Sequence, residues 1–235
     1  MAPASIAVLI PCYNEELTVA RVVSNFRDQL PEAAVYVFDN GSTDATRSEA
    51  VRAGALIRTV PERGKGNVVR AMFASVDADI CVLVDGDGTY PAHRVHALVE
   101  PIRQGLADMT VGSRLACGAH SRFQLINRLG NIAFARLVSF CLGLHLTDVL
   151  SGYRAFSRRF IGAVELRSRG FEIEMDLTME AVALGMGIAE VPVDLTPRPD
   201  GSRSKIRIVR DGWQILKTMA ARIVRSRPDS AGVRA

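Results

Sequence analysis

Residues 79–91 read Asp79-Ile80-Cys81-Val82-Leu83-Val84-Asp85-Gly86-Asp87-Gly88-Thr89-Tyr90-Pro91: an apolar run of strand length that ends in two acids one residue apart. Such a run, bounded by turn residues, reads as a strand buried on both faces. Gly86 and Gly88 let the backbone turn sharply where the run stops, and Pro91 is suited to the first turn of a helix. A strand, an acidic turn and a helix in that order make one unit of an open α/β sheet. Paired carboxylates at a strand end can hold a hard divalent cation against a diphosphate, and they can equally cap a helix or close a turn.

The same alternation extends in both directions. Strands are expected at Ser5–Ile10, Ala34–Phe38, Ala55–Val60, Asp79–Val84, Asp108–Val111 and Ile188–Val193. Helices are expected at Glu15–Gln29, Thr43–Ala53, Lys65–Val76, Pro91–Gln104, Phe123–Leu142 and Gly170–Ala183, with a further one from Ile206 onward. This order predicts an α/β fold, a mostly parallel sheet with helices on both faces. Ligands of such sheets sit at the carboxyl ends of the strands. Asn14-Glu15, Asp39-Asn40 and Asp85/Asp87 all fall there.

Composition sets the bounds. The chain has 235 residues and a net charge of +4, so one domain with a substantial core is expected, and nucleic-acid binding is not. Basic residues concentrate late: between Arg198 and Arg227 nine Lys and Arg face two Asp. Cys12, Cys81, Cys117 and Cys141 lack C-x-x-C spacing and read as free thiols of a reducing, cytoplasmic protein. Neither a signal peptide nor an 18-residue apolar span is expected.

Three further segments carry chemistry. Pro11-Cys12-Tyr13-Asn14-Glu15-Glu16 offers a ring for base stacking and an acceptor for a ring N–H, or else a helix start with Asn14 as cap. Asp39-Asn40-Gly41-Ser42-Thr43-Asp44 can bind a ribose or base, or form a turn with a cap. Arg63-Gly64-Lys65-Gly66-Asn67 precedes a helix and suits phosphate, or is a solvated turn; it lacks P-loop spacing.

These segments, together with Val111-Gly112-Ser113-Arg114, Thr147-Asp148-Val149-Leu150-Ser151-Gly152-Tyr153-Arg154 and Gly201-Ser202-Arg203-Ser204-Lys205, follow one another in a register that resembles the family 2 glycosyltransferases of GT-A fold. Within them the chain is most similar to the dolichol-phosphate or polyprenyl-phosphate sugar transferases. The resemblance covers roughly residues 5–210. It implies a single catalytic domain over 1–210; the residues of 206–226 read as a basic amphipathic helix, able to rest on a membrane surface or to pack its apolar stripe on the core, and 227–235 as a tail.

The resemblance also implies roles. Pro11, Tyr13, Glu15 and Asp39 would frame the nucleoside, with Lys65 and Asp85 also on the nucleotide. Asp85 and Asp87 would be the acidic pair for Mn2+ or Mg2+, Asp87 more directly, with Thr89 as a further contact. Arg114, Arg128, Arg203, Ser204 and Lys205 would face donor or acceptor phosphates. Asn40 stands where the family commonly has a second Asp, and GDP- and UDP-hexoses both remain candidate donors.

The implied reaction inverts the anomeric carbon in one displacement. A hydroxyl acceptor requires a general base, for which Asp148, Glu172, Glu174 and Asp176 are candidates. A phosphate monoester, with a second pKa near 6, is already largely ionised at neutral pH and requires cations instead. The abundance of cations points to a lipid phosphate and a peripheral position on the cytoplasmic membrane face. A hydroxyl acceptor on a glycolipid, a glycan or a small metabolite is the alternative. A nucleotidyltransferase would carry a Gly-rich G-x-G-x-R loop after the first strand, and Pro11–Glu15 stands there instead.

Overall fold

The computed structural model of the chain describes residues 4–114 and 146–198. The expected helices at 123–142 and from 206 onward, the loop 199–205, and Cys117, Arg128, Cys141, Arg203, Ser204 and Lys205 lie outside the described residues.

Strands β1 (Ile6–Cys12), β2 (Ala34–Asp39), β3 (Leu56–Thr59), β4 (Ile80–Leu83), β5 (Met109–Ser113), β6 (Arg154–Ser157) and β7 (Ile188–Pro192) form one sheet in the order β3-β2-β1-β4-β6-β5-β7. All pairings are parallel except those of β6, which runs antiparallel to β4 and β5. Helices α1 (Val19–Gln29), α2 (Thr46–Arg52), α3 (Lys65–Ser75), α4 (Val95–Arg103), α5 (Arg158–Ala163) and α6 (Ile173–Ala183) flank it.

Strand residues alternate between two cores, as period-2 geometry demands. Val8, Ile10, Val82 and Val84 join Val19, Val23 and Phe26 of α1 and Val95, Leu98 and Val99 of α4 on one face. Ala7, Leu9, Cys81 and Leu83 join Val68 and Met72 of α3, Phe160 of α5 and Ile173 and Leu177 of α6 on the other. Each fully buried Val, Leu, Ile, Met or Phe among them contributes about 1.5–3 kcal/mol. Phe156 of β6 stacks on Phe160 at 5.1 Å and meets Phe73 edge-on at 5.2 Å, which locks α3 and α5 to the sheet.

Several boundaries differ from expectation. The first helix begins at Val19, not Glu15, because residues 15–18 form a turn in which Thr18 and Val19 N–H both donate to the Glu15 carbonyl. Helix α2 begins at Thr46, since the segment before it is tied to Asn14 and Asp39. Pro91 caps a 3-10 turn, Ala92–Arg94, ahead of α4. Strand β6 and helix α5 were not expected. Their four- and six-residue lengths are below the reach of periodicity, and a buried arginine opens the strand.

Candidate active site at the carboxyl edge of the sheet

The parallel strands β1, β2, β4 and β5 deliver Tyr13, Asp39, Asp85–Thr89 and Arg114 to one edge. Because β6 is antiparallel, its start lies beside the ends of β4 and β5: Arg154 pairs with both Leu83 and Val111. Segment 146–153 therefore reaches the same edge.

Asp85 accepts from Lys65 Nζ at 2.5 Å, and the same ammonium reaches Glu174 Oε1 at 2.5 Å. Asp87 Oδ1 accepts from the Thr89 hydroxyl at 2.7 Å and the Thr89 N–H at 3.1 Å. Asp87 Oδ2 accepts from Arg198 Nε at 3.0 Å and from its Nη2. Three carboxylates thus face two cations. Burial, with the charges of Asp87 and Glu174, pushes Asp85 up to about 6 against the pull of Lys65. Burial opposes the charge of Asp87, but Thr89 and Arg198 outweigh it and hold its carboxyl below the usual range. Burial likewise opposes the Lys65 charge, and its two acids more than offset that. This excess of hard oxygen donors over cations fits a divalent metal. Among the described residues no group of three or more His, Cys, Asp or Glu converges as a ready-made metal cage.

Close backbone approach shapes the acidic turn. A Cβ on Gly152 would stand 2.2 Å from Asp85 Oδ2, and one on Gly86 would stand 2.6 Å from Cys12 Sγ. Gly152 is held there by its N–H to the Tyr90 hydroxyl at 3.0 Å. Ser151 donates to the Gly112 carbonyl at 2.6 Å. Arg154, with no exposure, donates to the carbonyls of Ser151 and Val149 and to the Thr178 hydroxyl. Burial lowers its guanidinium to about 10. It acts as a hydrogen-bond clamp on the 149–151 backbone, with neutral acceptors where an ion pair is commoner.

Asp148 is buried and fully engaged. Arg114 donates to it from Nε at 2.6 Å, Nη2 at 2.8 Å and the backbone N–H at 3.1 Å. Burial opposes its charge, but the Arg114 guanidinium prevails and holds the carboxyl below its ordinary value. The Thr147 and Asp148 N–H groups are in turn capped by the Glu190 carboxylate at 2.8–2.9 Å. Glu190, on β7, carried no sequence signal, because its partners lie 42 and 43 residues away.

Where β1 and β2 end, Tyr13 is 38% exposed, and the Arg63 guanidinium lies 3.9 Å from its ring centroid. Asn14, at φ 53°, accepts from Thr43 N–H instead of capping α1. The Glu15 N–H donates to Thr46 Oγ1 at 2.7 Å. Pro11 lies in β1 beside Phe38, and buried Asp39 accepts the Ser42 N–H at 3.1 Å. The Asn40 amide donates to the Val60 and Glu62 carbonyls and accepts from Gly64 N–H, so it shapes the 60–64 loop. A carboxylate there would lack the two donors. Of the other base candidates, Glu172 accepts from the Arg169 and Gly170 N–H groups and Asp176 from those of Arg167 and Ser168, which makes both anchors of the 167–170 turn.

Comparison with known proteins agrees with this architecture. Residues 7–164 match the domain described as glycosyl transferase family 2. The chain is 37% identical over 227 residues to the glycosyltransferase AglJ of Haloferax volcanii, covering 96% of this chain and 74% of that protein. It is 32% identical over 193 residues to the dolichyl-phosphate hexose transferase of the same organism, covering 82% and 83%. Its fold is similar to that of glucosyl-3-phosphoglycerate synthase from Mycobacterium tuberculosis, solved with Mn2+, uridine diphosphate and glucosyl-3-phosphoglycerate. That match has a TM-score of 0.73 and 25% identity, and covers 97% of this chain and 82% of that one.

Proposed function

The chain belongs to glycosyl transferase family 2, and on that premise we propose that it transfers a hexose, with inversion, from a GDP- or UDP-sugar to a polyprenyl phosphate. The observation that carries the acceptor is Asp148: both its oxygens are held by Arg114, and its carboxyl is depressed, so it is poorly placed to take a proton. A phosphate acceptor requires no base. Its oxygen forms a bond to the anomeric carbon as the bond from that carbon to the β-phosphate oxygen breaks, and the nucleoside diphosphate leaves with the electron pair. The dolichyl-phosphate relative supports this acceptor.

In this reading Tyr13, Asp39 and the loop shaped by Asn40 frame the nucleoside, and Lys65 fixes Asp85 near it. Asp87 and Asp85 would hold the divalent cation, Mn2+ or Mg2+, whose chemistry when bound is to neutralise charge building on the departing diphosphate. Arg114, oriented by Asp148, takes the donor phosphates, and Arg128, Arg203, Ser204 and Lys205 take the acceptor's. The catalytic unit spans 1–210. The basic 206–226 segment would bring it against the membrane surface, its cations facing anionic headgroups.

The test is a donor-saturated assay with a short polyprenyl phosphate beside the matching polyprenol. The expected outcome is use of the phosphate alone, with only a modest loss of turnover in folded Asp148→Asn. Preference for the alcohol, with collapse of rate in Asp148→Asn, would overturn it. A second reading, transfer to a hydroxyl of a small phosphorylated metabolite, is favoured by the likeness to the glucosyl-3-phosphoglycerate synthase. Phosphoglycerate as acceptor in the same assay separates the two.

A further inference from the structure

Asp87 has no oxygen left uncovered. Thr89 takes Oδ1, and the Arg198 fork takes Oδ2. Arg198 comes from far away in sequence, on the segment that leaves β7, and this segment is stapled across the strand ends. Val193 N–H donates to the Ser113 carbonyl at 2.9 Å, and Thr196 N–H donates to the Thr89 carbonyl at 2.9 Å. The segment is thus bonded twice to the acidic turn, once through backbone and once through an ion pair whose side chains are 30% and 11% exposed. A guanidinium cannot ligate a metal, and it repels one that approaches the same oxygen.

We propose that Arg198 is a built-in cation that positions Asp87 until a divalent metal displaces it, so that metal entry and release of residues 194–198 from the Asp87–Thr89 turn are one event. The inference rests on the reading of Asp87 as a metal ligand. It makes metal binding and segment release reciprocal: whatever draws Arg198 away, such as a donor diphosphate, tightens the metal by the same factor. The metal-free protein is partly occupied by its own cation, which lowers apparent metal affinity in proportion to the latched fraction.

Mn2+ titration of the donor-free protein, read from the paramagnetic resonance of the free ion, tests this. Arg198→Gln should bind Mn2+ about three- to tenfold more tightly than wild type. Arg198→Lys, which keeps the charge but not the fork, should fall between them. Arg21→Gln removes a charge beside Gly88 without touching the ion pair and should change affinity less than about twofold. Equal or weaker binding by Arg198→Gln, or an equal gain in Arg21→Gln, would overturn the inference. Asp87→Asn should abolish the binding; if it does not, the metal reading itself fails, and the displacement with it. Hydrogen exchange supplies a second arm. Saturating Mg2+ should speed exchange at Thr196 in wild type and have little effect in Arg198→Gln, where exchange is already fast. Unchanged protection in wild type with Mg2+ bound would also overturn it.

Discussion

Single side chains decide the chemistry of this site. If Asp87 ligates the metal as proposed, Asp87→Asn should cut glycosyl transfer by about 10²-fold or more at a metal concentration that saturates wild type. Its melting temperature should stay within a few degrees of wild type, because the Arg198 side chain that loses its partner is 30% exposed and can be solvated. Near-normal turnover would remove Asp87 from the metal site. Asp148 is a buried carboxylate paired with Arg114. Its carboxyl is depressed in the folded state, so the stability it contributes is complete above its unfolded value of about 3.9 and is lost as pH falls through the lower folded value. The advantage of wild type over Arg114→Met in melting temperature should therefore shrink below about pH 4; a constant gap down to pH 3 would contradict the pairing. Tyr153 presents the opposite case. Its hydroxyl is buried and, among the described residues, has no hydrogen-bond partner. Tyr153→Phe should be neutral or stabilising by up to about 1 kcal/mol in urea unfolding, and a loss larger than that would reveal a bound partner.

At the scale of elements, the start of α3 is a close backbone-to-backbone joint. Gly66 N–H donates to the Arg169 and Gly170 carbonyls, and a Cβ on Gly66 would stand 2.2 Å from the Ser168 carbonyl oxygen. That neighbour is backbone and cannot swing away. Gly66→Ala should cost about 2–4 kcal/mol and shift Lys65 off Asp85, which lowers activity as well as stability. Gly162, in α5, has nothing within 4 Å of its would-be Cβ, so Gly162→Ala should be neutral or gain about 0.5 kcal/mol. Similar losses in the two variants would mean that close packing at α3 is not the cause. The antiparallel β6 is the other decisive element: reversing one strand brings the 146–153 segment to the edge that the parallel strands already supply.

For the whole molecule, one sheet edge collects residues from β1, β2, β4, β5, the start of β6 and the segment after β7, so a ligand spanning that edge binds only the folded chain. A nucleoside diphosphate with Mn2+ at about 100 times its dissociation constant should add about 2.7 kcal/mol. For a chain of this size that is a rise of about 5–10 °C in melting temperature. A panel of GDP and UDP, each with and without Mn2+, reports base preference and metal dependence together. Equal shifts for both nucleotides, with or without metal, would contradict a built nucleoside pocket and the role of Asp87.

The sequence by itself determined the α/β alternation, the single mostly parallel sheet and the strand ends that carry Tyr13, Asp39, Asp85 and Asp87. Apolar runs of period 2, helical stripes and glycine-marked turns are local signals, read within a dozen residues. Only the tertiary structure decided which charges meet. Lys65 could be read as a phosphate ligand, and the fold sets it between Asp85 and Glu174, the latter 109 residues away. Asp148 could be read as a base, yet Arg114 holds it; Glu190 and Arg154 had no readable role until β7 and β6 fell into register beside the 147–153 segment. Arg198 was one of several basic residues late in the chain, and its place on Asp87 follows from the return of β7 parallel to β5. Ion pairs and clamps of this kind join residues that share no sequence window, so their geometry is set by the packing of the sheet and not by any local pattern.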